Sequence, residues 1–334
     1  MFLNYIHNFR GLAILLIVAQ HCMDSFQWNQ QEMTYHLLAF IIRDATSLFM
    51  FISGFLFQYL SYKFDYKSYM KNKLRYIILP YLIVSAPAII ILMFIRQRYA
   101  PGSDFYSHPV IVQIMLFYLT GSHITAFWFI PMITVYYILS PLFIRLDKFR
   151  LTYYLIPLFF LVSILTPTTE SILNACISYF PDYMLGMCCS RYREKILEMN
   201  SKFLILLILI YFFIMGVYIC GFRFRMINVH IISYLSKTVM NFFLITILYR
   251  YENKIRLKWD YLAGISLGIY FLHSYIIQIL RFFIAGSMGG FLPVKGHIVI
   301  SLLLFFIIVV ALTSLMIDGI KKISGKYSRY LIGC

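Results

Sequence analysis

The sequence predicts an all-α, polytopic membrane protein of about ten transmembrane helices in one bundle, with both termini cytoplasmic. Two observations carry the class and a third carries the topology. First, 61% of the 334 residues are hydrophobic and only 13% are charged, with a mean hydropathy of +0.79. A water-facing surface takes about 25–35% charged residues, so soluble, disordered and collagen-like readings are excluded. Second, the apolar residues run in long continuous stretches rather than alternating with period two. Lipid offers a bare backbone amide no partner, so such stretches are helices and not barrel strands. Third, twenty of the 29 Lys and Arg fall into five clusters: Lys63 to Arg75, Arg145 to Arg150, Arg191 to Lys202, Arg250 to Lys258 and Lys321 to Arg329. Basic residues gather in cytoplasmic loops because they resist translocation.

A crossing takes about 20 mostly apolar residues. Ten segments qualify, roughly 6–26, 36–60, 76–95, 127–145, 152–167, 172–190, 203–221, 229–250, 260–284 and 297–318. With the N-terminus inside, ten crossings leave all five basic clusters on one face. The first segment carries Arg10 within it and no small-residue cleavage site after it, so it reads as a retained helix rather than a leader. Residues 96–126 begin polar (Arg96, Arg98, Pro101, Gly102, Asp104, His108), become apolar over 110–119 and turn at Gly121-Ser122-His123. They are expected to form an interfacial or re-entrant helix, since an extra span would place four basic clusters outside. No repeat, linker or soluble extension appears, so 1–334 reads as a single domain. The net charge of +16 follows from topology, and no nucleic-acid partner is expected. The six cysteines form neither a disulfide framework nor a C-x-x-C pair. The eight histidines include no H-x-x-x-H pair, so no metal site is expected. No G-x-S-x-G elbow points to a serine nucleophile.

Ionisable groups inside a span cost at least ~2.5–3.5 kcal/mol each, which makes them functional candidates. Arg10 and His21 are the clearest pair. Eleven residues at 100° each leave them only about 20° apart around the helix, and roughly 16 Å apart along it. Spacing alone leaves two readings open: an arginine snorkelling to the inner headgroups beside a satisfied core histidine, or a matched functional pair.

Four further segments accompany the pair: Leu48-Phe49-Met50-Phe51-Ile52-Ser53-Gly54; Lys71-Asn72-Lys73-Leu74-Arg75 with Leu79-Pro80-Tyr81; Phe127-Trp128-Phe129-Ile130-Pro131; and Ile265-Ser266-Leu267-Gly268-Ile269-Tyr270-Phe271-Leu272-His273. Together with Arg10-(ten residues)-His21 this ordered set resembles the acyltransferase-3 family of integral membrane acyltransferases, from the first helix to the tenth. The resemblance implies transfer of an acyl group, commonly acetyl, from cytoplasmic acyl-CoA to a sugar hydroxyl of a surface or exported glycan. The implied location is the inner (plasma) membrane. It also implies that Arg10 and His21 are the main functional pair, and that Lys71, Lys73 and Arg75 hold the CoA donor. Many members carry Arg-x-x-Arg there; Lys lacks the bidentate fork of Arg, so donor contacts would be arranged differently.

The residues bear a chemical reading beside the resemblance. Acyl transfer needs a base or acyl carrier and a stabilised oxyanion. Histidine titrates near neutrality, so His21 takes the first role and Arg10 positions the donor. Ser266, Tyr270 and His273 share one helix face. His273 would serve as an oxyanion donor or an orienter of His21, or else merely bond its neighbour. Ser53, Trp128 and Tyr270 are expected to meet the substrate, although Trp128 reads more readily as core or an interface anchor than as a sugar-stacking platform. Asp24 would either fix the His21 tautomer or sit solvated, and Lys237 would snorkel or meet an acid. Arg223 and Arg225 would contact an anionic glycan or line a loop. The expected partners are acyl-CoA as donor substrate, a glycan acceptor and the lipid bilayer, with no bound cofactor. The competing reading is a glycan or lipid-linked saccharide transporter, since buried Arg and His also suit a translocation path.

Overall fold

A computed structural model describes residues 3–29, 32–95, 104–166, 171–224, 229–252, 259–286, 290–294 and 297–334. The side chains of 222–224, 229–230 and 259 also lie outside the description. Arg96, Arg98, Pro101, Gly102, Arg225, Lys254, Arg256, Lys258 and Lys295 fall outside it, as does the side chain of Arg223. The regular elements described are helices; the one β contact is an isolated bridge between Phe26 and Leu292.

Among the described residues, seven helices are long and apolar enough to cross a membrane: Asn4–Met23, Met33–Tyr59, Tyr66–Phe94, Ser201–Gly221, Ile231–Arg250, Ser266–Ala285 and Ile298–Leu331. The pair Phe129–Ile138 and Ser140–Lys148, bent by 58°, makes an eighth. Length and composition of the described residues leave the expected count of ten unconfirmed. The other two segments are helical, but Arg150–Leu165 is short. Helix Ile172–Arg191 is largely buried and carries Asp182 and Pro181 inside it. Helix Val110–Thr120 has 11 residues, roughly 16 Å of rise, about half of the hydrocarbon thickness. It is too short to cross, in keeping with the interfacial or re-entrant expectation.

Sequence explains the breaks. Pro141 in the first turn of Ser140–Lys148 disfavours helical geometry at the residue before it, and the chain bends there. Pro80 has no N–H for the Tyr76 carbonyl; over Leu74–Ile78 the ladder widens to a π turn, with the Leu79 amide bonding the Leu74 carbonyl. Pro181 has no N–H for the Ile177 carbonyl, and side chains donate to the carbonyls on either side of it: Tyr136 Oη to Cys176 O, and both Ser163 Oγ and Tyr234 Oη to Ser178 O, each at 2.6 Å. In lipid such carbonyls have no water to turn to. Outside the membrane-spanning part, Asp65 caps the start of Tyr66–Phe94 by accepting from the Ser68 amide at 2.8 Å, which holds its carboxyl below the usual range.

The second span is broken at Asp44, the one non-glycine residue with positive φ (60°) among those described. Aspartate tolerates that region better than bulkier residues. Its carboxylate accepts from Ser233 Oγ. Lys237, one turn further along the same helix, is fully buried and donates to the carbonyls of Phe40 and Ile41, 2.8 Å each. Lys237 thus does not snorkel, and no carboxylate lies in ion-pair range of it among the described residues: it caps the last turn of Met33–Ile42. Lys237→Met would strip both carbonyls of their donor. A loss of about 1–3 kcal/mol is expected, read as a lowered melting midpoint in detergent.

Helix Asn4–Met23 sits between two buried clusters. Tyr5 to Ala13 pack with Phe51, Tyr136 and Tyr183, and Ile14 to Met23 with Phe127, Phe271 and Val309. Two glycines let backbones touch. A Cβ on Gly54 would stand 2.0 Å from Tyr183 O, and one on Gly186 2.0 Å from Phe51 O. Close packing of the Ser53-Gly54 dipeptide therefore joins the second span to Ile172–Arg191. Outward faces stay apolar, as at Phe213 (72% exposed) and Ile300 (59%), which lipid tolerates and water does not.

Candidate active site

The face of the first helix left between the two clusters carries Arg10, Ile17, Gln20 and His21. These side chains line one cavity of about 540 Å³, within the range of about 300–1,000 Å³ usual for small-molecule sites. The second span adds Thr46, Phe49 and Ser53 to its wall; Trp128, Phe129, Ser266 and Tyr270 complete the inner part. The predicted shared face of Arg10 and His21 is thus a shared chamber.

Arg10 is held from the ninth predicted segment. Its Nη2 donates to Ser266 Oγ at 2.8 Å and to Ala263 O at 3.2 Å. The His21 ring has no hydrogen bond among the described residues; its nearest ring partner is His273, with centroids 5.3 Å apart and planes tilted 38°. His273 does not line the cavity. It is fully buried behind His21, its Nδ1 donating to Ile269 O at 2.8 Å, which leaves Nε2 to accept from Ser274 Oγ at 3.3 Å. Its only firm donor is spent on the backbone, so His273 offers no free N–H to an oxyanion in the cavity. Asp24 pairs with Arg43 at 3.0 Å and does not orient His21.

Tyr270 lines the cavity with its ring stacked near Phe127 (6.0 Å, 24°), and its hydroxyl is committed to Ala126 O. Trp128 also lines it while stacking on Tyr179 at 5.7 Å and 28°; one residue serves wall and packing together. Ser53 and Gln20 present side chains with no hydrogen-bond partner among the described residues.

The donor-binding trio expected after the second span divides. Lys73 enters the cavity, its Nζ 4.6 Å from the Tyr137 ring and 5.1 Å from the Tyr69 ring. Lys71 and Arg75 are exposed and outside the lining. Positions two apart on a helix differ by about 200°, so three alternate residues cannot all face one chamber. Sequence reasoning missed Arg329, Tyr76, Thr46 and Gln20, which do line it. Gln20 carried a readable signal, a polar side chain beside His21 in an apolar run. Arg329 carried none, being one of the basic residues that topology explains.

Arg10, Lys73 and Arg329 are the cations of the lining, which contains no Asp or Glu. None of the three has a carboxylate in ion-pair range among the described residues. Three uncompensated cations between low-dielectric walls focus a field that draws an anion. No group of three His, Cys, Asp or Glu is placed to hold a metal among the described residues.

Bundle and chamber together describe a multi-pass membrane protein with an interior cavity lined by three cations. A family model described as an acyltransferase domain matches residues 3–317, nearly the whole chain. The protein belongs to the acyltransferase-3 family, and acyl transfer is its reaction class. No curated protein and no solved structure matches it.

Proposed function

We propose that this protein takes an acyl group, acetyl in the first instance, from cytoplasmic acyl-CoA and places it on a sugar hydroxyl of a surface or exported glycan. It would do so in the inner (plasma) membrane, with the N-terminus and basic loops cytoplasmic. The observation that carries the reading is that Arg10 and His21 open into one chamber whose lining is cationic and free of acids. The phosphates of CoA match that charge, with Arg10 and Lys73 as inner contacts. Roughly 16 Å of helix between Arg10 and His21 corresponds to an extended pantetheine arm, so the thioester reaches the imidazole while the nucleotide stays at the basic end.

The chemistry balances without a further reactant. His21 removes the acceptor hydroxyl proton as the new C–O bond forms. The C–S bond then breaks, and the departing thiolate takes that proton back as CoA thiol. Ser53 and Gln20 offer uncommitted donors in the lining for the oxyanion. If His21 instead carries the acyl group, one ring nitrogen bonds the acyl carbon as the C–S bond breaks, and the thiolate leaves as CoA thiol with the proton of the other ring nitrogen. The acceptor hydroxyl then attacks the acyl-imidazole, the C–N bond breaks and the hydroxyl proton returns to the ring. Trp128 and Tyr270 supply aromatic surface for a sugar ring. His273 acts through His21 as a positioning residue.

The test is CoA release from acetyl-CoA by purified protein with a glycan acceptor in detergent. Arg10→Ala is expected to raise the KM for acetyl-CoA at least tenfold, about 1.4 kcal/mol of lost binding. Unchanged donor KM and turnover in that variant would defeat the threading picture. A glycan that crosses vesicles without acyl-CoA would favour the transporter.

A further inference from the structure

The inner part of the chamber accounts for the thioester and part of the phosphate charge, but leaves Arg329 unassigned. The chain reaches it by a reversal. Helix Ile298–Ser324 ends in a 3-10 turn at Gly325–Tyr327, and one helical turn, Ser328–Leu331, folds back against the π turn Leu74–Ile78 and the helix beyond it. This return is anchored. Ser328 is buried, Ile332 is 3% exposed within the second core cluster, and the Ile332 amide donates to Ser328 O at 2.8 Å.

The anchoring sets three side chains at the rim. The Arg329 guanidinium lies 4.0 Å from the Tyr76 ring centroid, and the Tyr330 ring lies 5.5 Å from Tyr76 at 32°. Arg329 and Tyr76 both line the cavity, and Arg329 is exposed while Arg10 and Lys73 are partly buried. A guanidinium held over an aromatic ring by cation–π attraction keeps N–H donors available for a phosphate. No hydrogen bond or carboxylate among the described residues occupies those donors.

We infer that Arg329, Tyr76 and Tyr330 form the subsite for the nucleotide end of the donor, the guanidinium holding a phosphate and the tyrosine pair the purine. The inference rests on the acyl-CoA reading and deepens it. Arg329 and Tyr330 lie beyond the residues matched by the family model, which end at 317. Selection for a nucleotide-bearing donor over a bare pantetheine thioester then resides in a C-terminal turn outside that match, joined to the helix carrying Lys73 at its π turn.

Purified protein is compared on acetyl-CoA and on S-acetylpantetheine, which lacks the nucleotide. Arg329→Ala should lower kcat/KM for acetyl-CoA about tenfold or more, through KM, and leave S-acetylpantetheine within twofold. Arg329→Lys should recover part of the loss, and Tyr76→Ala should lower kcat/KM for acetyl-CoA more than for S-acetylpantetheine. Adenosine 3′,5′-bisphosphate should compete with acetyl-CoA, about tenfold more weakly in Arg329→Ala. An equal loss on both donors would reduce Arg329 to a structural residue and overturn the subsite. So would unchanged acetyl-CoA kinetics, or a wild type that uses both donors equally well. A wild type inactive on acetyl-CoA defeats the donor reading itself and the subsite with it.

Discussion

His21→Ala is expected to reduce acyl transfer by about 10²–10⁴-fold, the range a positioned general base contributes, and by more if the imidazole carries the acyl group. The fold should survive, because the ring makes no hydrogen bond among the described residues and borders an existing cavity. The loss should therefore fall on kcat with the donor KM nearly unchanged, the reverse of the pattern expected for Arg10→Ala. Incubating wild-type protein with radiolabelled acetyl-CoA alone separates the two roles of His21. Label retained on the protein and absent from His21→Ala marks an acyl-enzyme; label found only after acceptor is added marks direct transfer. Full turnover in His21→Ala would remove this residue from the chemistry. His273 can be read against the same assay. His273→Gln should lower kcat and alter its pH profile, because the ring that borders His21 is lost; a purely structural role would move stability alone.

The largest effect on the fold should come from Gly186→Val, with Gly54→Val close behind. At each site a Cβ would stand 2.0 Å from a carbonyl oxygen of the opposing helix. Overpacking a core usually costs about 1–3 kcal/mol because side chains shift aside. Here the obstacle is backbone on both sides, so the helices must part. In lipid, helix association depends on close van der Waals contact between small residues and receives little hydrophobic help, so separation is not offset elsewhere. Either variant should fail to yield a monodisperse protein in size-exclusion chromatography, or should melt far below wild type. Gly216→Ala and Gly319→Ala are the controls. A Cβ at either meets nothing within 4 Å, and removing a helical glycine should stabilise by about 0.5–1 kcal/mol. A Gly186→Val protein as stable as wild type would mean the two helices do not meet as described. Because Ser53 adjoins Gly54 and lines the chamber, milder substitutions such as Gly54→Ala should disturb activity before they abolish folding.

The membrane as solvent, the helical class and the common face of Arg10 and His21 were all legible from the residues. Each depends on composition or on the 3.6-residue period, and both are local properties that survive any packing arrangement. The ordered motifs likewise pointed to the acyltransferase-3 family. The number of crossings was less legible. Segment 172–190 is helical, yet its polar interior and its burial against the second span set it apart from a lipid-facing span. Period and hydropathy do not reveal which neighbour covers a helix.

What only the tertiary structure decided is which polar groups share a space. Lys73 turns into the chamber, whereas Lys71 and Arg75 stay outside. His273 backs His21 without reaching the cavity, Asp24 is taken by Arg43, and Lys237 caps a broken span almost 200 residues away in the chain. Arg329 arrives from the C-terminal end to sit over Tyr76. Such pairings join residues far apart in sequence, and they are selected by the fit of whole helices against one another. A residue's type and spacing state what it is able to do; the packed bundle determines what it meets.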